Sequence, residues 1–114
     1  MEDAVRRRLA DELGLVPTTV ELVLPAFRYR AEMPDGVVEN ELCPVFRVTS
    51  TGDPVPDPAE VAAYEWVAWA DVAVRPGLSP WCLLQLDELG KLGSRPSDWP
   101  VADPALLPPA ARAG

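Results

Sequence analysis

Two stretches decide the reading of this chain: Phe27-Arg28-Tyr29-Arg30-Ala31, and Val37-Val38-Glu39-Asn40-Glu41-Leu42-Cys43-Pro44-Val45-Phe46. At the centre of the second, Glu39 and Glu41 are spaced i, i+2. On an extended segment such a pair points to one face of the sheet. Its charges repel unless a cation or a shared proton holds them together. Placed between valines and leucines, the pair suits metal or acid–base chemistry; the plainer alternative is a solvated strand face. Pro34-Asp35-Gly36 is a turn signal. The two stretches therefore form a hairpin, which brings Tyr29 near Glu39 and Glu41.

Working outward, Val20 to Met33 is rich in β-branched and aromatic residues and reads as the first strand of that hairpin. Val20, Leu22 and Leu24 share one face, whereas Phe27 and Tyr29 take the opposite parity. A bulge or break at Pro25 reconciles them. Val37 to Thr49 is the returning strand. Thr51 to Pro58 carries Pro54, Pro56 and Pro58 and reads as a loop. Val61 to Trp69 is a third strand candidate, with Tyr64, Trp66 and Ala68 on one face, and a short helical turn near Asp71 follows.

Helices flank this β-region. Glu2 to Leu13 has acidic residues in its first turn, which suits the helix dipole, and Gly14 just past its end. Val5, Leu9 and Leu13 form its buried stripe. At ~100° per residue, Glu12 projects only ~20° from Val5 and interrupts that stripe. Arg8 lies one turn earlier, so an i, i+4 ion pair is the plain reading of Glu12. Arg6, Arg7 and Arg8 fan around the axis and cannot form one anion site. Ser79 is an N-cap with Pro80 at the first helical position, and Cys82, Leu86 and Leu89 form the stripe of that second helix. Residues 93–114, with Pro96, Pro100, Pro104, Pro108 and Pro109, read as an extended or disordered, weakly packed tail.

At 114 residues the chain holds one domain, expected over residues 1–92 with the tail beyond. A formal net charge of −8 argues against nucleic acid or an anionic membrane as partner. Cys43 and Cys82 lack a paired spacing and read as free, buried thiols of a cytoplasmic protein. No apolar run approaches the ~20 residues of a membrane helix, and the amino terminus has no signal-peptide layout.

In order along the chain, Glu2-Asp3-Ala4-Val5 through Glu12-Leu13-Gly14, FRYRA at 27–31, VVENELCPVF at 37–46, Tyr64-Glu65-Trp66 and Ser79-Pro80-Trp81 resemble the carboxy-terminal portion of a type 1 isopentenyl diphosphate isomerase of the Nudix superfamily. The resemblance covers roughly Glu2 to Leu92. It implies an α+β fold, a Nudix-type mixed sheet with flanking helices, incomplete at the N-terminus as from a truncated gene or a misplaced start. It also implies isomerisation of a small-molecule diphosphate substrate in isoprenoid biosynthesis. Glu41 would do acid–base work and share a metal with Glu39, Tyr29 would hydrogen-bond the acid–base group, and Trp81 would place its ring face beside a carbocation. Glu12 would help to hold Mg²⁺, with Mn²⁺ or Zn²⁺ at a carboxylate–histidine site. This chain has no histidine. It also lacks the family's Cys-Gly-His-Pro segment, so the 114-residue polypeptide alone is expected to be inactive.

Two alternatives stay open. One is a Nudix hydrolase of a nucleoside diphosphate-linked substrate. Its signature would need a glutamate where Arg8 stands, and Arg8 adds repulsion to any divalent cluster. The other is a non-catalytic remnant.

Overall fold

The computed structural model describes residues 1–108. Helix α1 (Glu2–Leu13) leads into four strands, β1 (Thr19–Leu24), β2 (Arg28–Glu32), β3 (Val38–Leu42) and β4 (Val45–Thr49). Two further helices follow, α2 (Trp69–Val72) and α3 (Pro80–Gly90), and then 3₁₀ turns at Pro96–Asp98 and Pro104–Leu106. The architecture is α+β, with both strand pairs antiparallel.

The strands form one long hairpin ribbon, bent in the middle. β2 pairs with β3 around a turn in which Met33 N–H donates to Val37 O and Gly36 N–H to Met33 O. Gly36 sits at φ 87°, where an L side chain is strained and glycine is not. The outer arm pairs β1 with β4, and its register slips between Leu22 and Leu24. Pro25 interrupts the first arm, as the switch of side-chain parity requires. The returning arm was expected to run unbroken from Val37 to Thr49. It breaks instead at Cys43–Pro44, because proline has no N–H to give to the ladder.

The core lies on both faces of β1. On one face, buried Leu22 and Leu107 pack with Met1, Leu42, Phe46 and Ala102. On the other, buried Val23, Leu89 and Trp99 pack with Leu24, Val45, Trp69 and Leu92. Helix α1 ends as its sequence dictates. Gly14 adopts φ 59° and its N–H reaches Ala10 O, while the loop beyond β4 satisfies two of the last carbonyls through Val55 N–H to Leu13 O and Asp57 N–H to Glu12 O. None of the residues of α1 is fully buried; its stripe is half-covered rather than sealed.

The expected strand over residues 61–69 does not form. Asp57 closes a turn instead, its carbonyl accepting from Glu60 and Val61 and its side chain from Ala59, and α2 begins at Trp69. Among the described residues no neighbouring strand offers this segment a ladder, so Tyr64 and Trp66 remain exposed.

The weak packing expected after Gly93 also needs correction over residues 93–108. Trp99 is 6% exposed, donates its indole N–H to Gly93 O at 2.9 Å and meets Trp69 edge-on at 5.0 Å between centroids. Ala102 N–H bonds to Leu22 O, and Arg47 of β4 donates to Pro96 O (2.6 Å) and Trp99 O (2.8 Å). Proline opens only short 3₁₀ turns there, and it does not prevent the residues between prolines from burying side chains. The expected disorder of residues 109–114 lies outside the described residues.

Candidate active site

The hairpin fixes the first two site residues. Tyr29 faces Glu41 across the ladder, and Glu39 faces Ala31. Cys43 N–H donates to Phe27 O at 2.8 Å, and Met33 N–H to Val37 O at 2.7 Å. These bonds put the 29/41 and 31/39 pairs on the hydrogen-bonded phase of the ladder, where opposed Cα atoms are ~5.5 Å apart. Phe27, Tyr29, Glu39, Glu41 and Cys43 thus share one face. Arg28 and Asn40 lie on the other, joined by a 3.3 Å hydrogen bond.

The third residue arrives from α3. Ser79 Oγ accepts from Cys82 N–H at 3.2 Å, and Pro80 opens the helix, so the cap fixes where its first turn points. That turn carries Trp81, whose ring meets Tyr29 at 6.0 Å and 80° in an edge contact. Such a pair contributes about 0.5–1.5 kcal/mol beyond the area it buries. Tyr29 is therefore neighbour to both Glu41 and Trp81. These three residues, distant in sequence, are brought together. The face is open: Glu39 and Glu41 are exposed, Tyr29 is half-buried and Trp81 is 41% exposed.

Glu12 is not part of this group. Its carboxylate takes a 2.8 Å hydrogen bond from Arg8, and the hydrogen bond and charge of Glu12 raise the Arg8 pKa above its ordinary value. It lines a shallow polar pocket with Arg7, Arg8, Asp11, Asp57 and Glu60, to which neither Glu39 nor Glu41 contributes. Arg6 turns to Glu2 at 3.1 Å, so the arginines serve separate partners as their fan around the axis predicts. The sequence leads to the expectation of Glu39 and Glu41 in one concave site with Glu12 and Tyr29; the pocket that Glu12 lines includes none of the other three. A divalent ion needs several oxygen ligands around one point. Among the described residues no group of three or more His, Cys, Asp or Glu side chains is placed to hold one. The metal implied by the resemblance does not fit the carboxylates as they stand.

Cys43 and Cys82 are free and half-buried. No described helix is long and apolar enough to cross a membrane. Arg47 is the polar residue that sequence reasoning passed over. Its side chain is 14% exposed and pairs with Glu21 at 3.0 Å while holding the two carbonyls of the later segment. A single arginine within the apolar run Val45-Phe46-Arg47-Val48 was the available signal.

A helix ended by Glu-Leu-Gly, a hairpin ribbon bearing paired carboxylates and a capped helix delivering an aromatic ring define a small α+β domain with a carboxylate-bearing face. The chain belongs to the Nudix family: the family model described as NUDIX domain matches residues 1–96. Its curated relatives include proteins named isopentenyl-diphosphate Delta-isomerase. That of Saccharopolyspora erythraea is 49% identical over 116 residues, which is 97% of this chain and 60% of the relative. That of Rhizobium rhizogenes is 47% identical over 118 residues, 98% of this chain and 56% of the relative. That of Clavibacter michiganensis is 52% identical over 91 residues, 75% of this chain and 47% of the relative. The chain thus spans about half to three-fifths of the length of these relatives.

Proposed function

We propose that this chain supplies part of the active site of an isopentenyl-diphosphate isomerase acting on a small diphosphate in the cytoplasm, with Glu41, Tyr29 and Trp81 as the residues it contributes. The convergence of these three side chains carries the reading, and the names of the relatives support it. The reaction moves a double bond: one carbon gains a proton and a neighbouring position loses one. An alkene is a feeble base, so the acid must be aimed at carbon and kept dry, and the tertiary cation must be stabilised. Glu41 is the proton-transfer group, Tyr29 orients it from across the ladder, and the face of Trp81 stabilises positive charge. Two proton transfers at separate carbons need two groups on opposite sides of the substrate. This face offers one, and it is open to water.

A chimera tests the reading. This chain's residues replace the matched 60% of the Saccharopolyspora erythraea relative, and conversion of isopentenyl to dimethylallyl diphosphate is measured. Turnover is expected, with a loss of ~10³-fold or more on Glu41→Gln. A folded chimera without turnover, or one indifferent to Glu41→Gln, refutes the assignment. The 114-residue polypeptide assayed alone with Mg²⁺ and Mn²⁺ is expected to show no turnover, because groups that act as a unit are not additive.

A further inference from the structure

We propose that the β2–β3 arm is a flap, hinged where the ribbon bends, that closes its carboxylate-bearing face onto α3. The bend is built as a hinge. The last ladder pair of the outer arm is Leu24 with Val45, and the first of the β2–β3 arm is Arg28 with Leu42, so residues 25–27 run opposite residues 43–44. Each connection carries a proline, Pro25 in one and Pro44 in the other. Neither has an N–H to give across the bend, and proline fixes φ while leaving ψ free to turn. Cys43 N–H donates to Phe27 O at 2.8 Å on the β2–β3 side of the bend. Phe27, 9% exposed, is the buried pivot. Hinges elsewhere are likewise a few residues at the ends of elements that absorb the backbone rotation.

Beyond the bend, little holds the arm in place. Residues 32–41 are all exposed, and a two-stranded hairpin by itself is marginally stable in water. Segments with few buried contacts and solvent-exposed backbone bonds open at low free energy. The arm meets α3 through the edge contact of Tyr29 with Trp81, at 6.0 Å between centroids. Near that contact lies a cleft of about 440 Å³, lined by Pro25, Ala26 and Phe27 of the bend and by Leu84 and Glu88 of α3. Leu84 is 49% exposed and stands one turn beyond Trp81. The cleft leaves slack between ribbon and helix. Phe27 shares its strand face with Tyr29, Glu39 and Glu41, so a rotation that narrows the cleft carries that face toward the first turns of α3.

Closure supplies what the open face lacks. It covers the Tyr29–Glu41 pair with the apolar start of α3 and excludes water from the proton-transfer group, while the open state admits substrate. This drying role rests on the isomerase reading; the hinge does not.

Relaxation-dispersion NMR of the 114-residue chain without ligand tests the flap, because lid motions fall in the microsecond-to-millisecond range that it reads. Amides of residues 28–42 are expected to share one exchange process that those of residues 19–24 and 45–49 lack. Leu84→Trp wedges the cleft and should lower the closed population at least fivefold. Leu84→Phe, a smaller wedge, should lower it by less, and Val74→Ala, exposed elsewhere, should leave it unchanged. An arm without collective exchange overturns the inference, as does exchange indifferent to both wedges. In the chimera described above, kcat should fall across the wedge series in proportion to the closed population, and a kcat that ignores that population overturns the drying role. A chimera without turnover counts against the isomerase reading alone, since the exchange measurement still decides the flap.

Discussion

Replacing Trp99 by alanine tests how far the later segment belongs to the core. The substitution removes an indole that fills the space beneath Val23 and Leu89, its edge contact with Trp69 and its bond to Gly93 O. Buried tryptophan to alanine costs about 3–5 kcal/mol through lost transfer energy and the cavity left behind. That is a fifth or more of the roughly 5–15 kcal/mol that holds a small domain together. With a urea slope of about 2 kcal/mol/M, the midpoint should fall by roughly 1.5–2.5 M. Far-UV circular dichroism is the suitable probe, because removing a tryptophan alters the fluorescence itself. Arg47→Met offers a second measurement. It frees Pro96 O, Trp99 O and Glu21 at a cost of about 1.5–3 kcal/mol. Both side chains anchor the same segment, so the double variant should lose less than the two singles combined, with a coupling of about 0.5–3 kcal/mol. A Trp99→Ala change below about 0.5 kcal/mol, the range of surface substitutions, would refute the reasoning, and so would strict additivity with Arg47→Met.

Three further outcomes are expected. Gly14→Ala should destabilise by about 1–3 kcal/mol in the same urea assay, because a Cβ at φ 59° would sit 2.8 Å from Val55 O. Ser79→Ala should cost about 1 kcal/mol and loosen the Tyr29–Trp81 contact, seen as changed near-ultraviolet circular dichroism. Glu12→Gln should change stability by no more than about 0.5 kcal/mol, since its ion pair with Arg8 is exposed, and should leave Mn²⁺ affinity measured by calorimetry unchanged. A drop in Mn²⁺ binding would show that Glu12 joins a metal site after all.

Local chemistry made several parts of the molecule legible before any fold was known. Pro34-Asp35-Gly36 marked the turn because only glycine accepts the conformation its third position requires. Ser79-Pro80 marked the start of α3, Gly14 the end of α1, and the clash of parity around Pro25 the bend in the ribbon. From the turn and the i, i+2 spacing it followed that Tyr29 lies near Glu41. Each of these rests on bonds and sterics within a few residues, which the sequence alone determines.

Tertiary structure decided the rest. Residues 61–69 have the composition of a strand, but a strand exists only where another lends it a ladder, and none does so among the described residues. The segment after Gly93 looks too proline-rich to pack, yet Trp99 finds a gap between Val23 and Leu89, and Arg47 supplies the hydrogen bonds that the prolines cannot. Arg8, one turn away, pairs with Glu12, and the path of α1 sets that carboxylate in a pocket with Asp57 and Glu60. Trp81 meets Tyr29 only because α3 docks against the ribbon. Which side chains become neighbours across long separations depends on how the elements pack, and local sequence does not encode that packing.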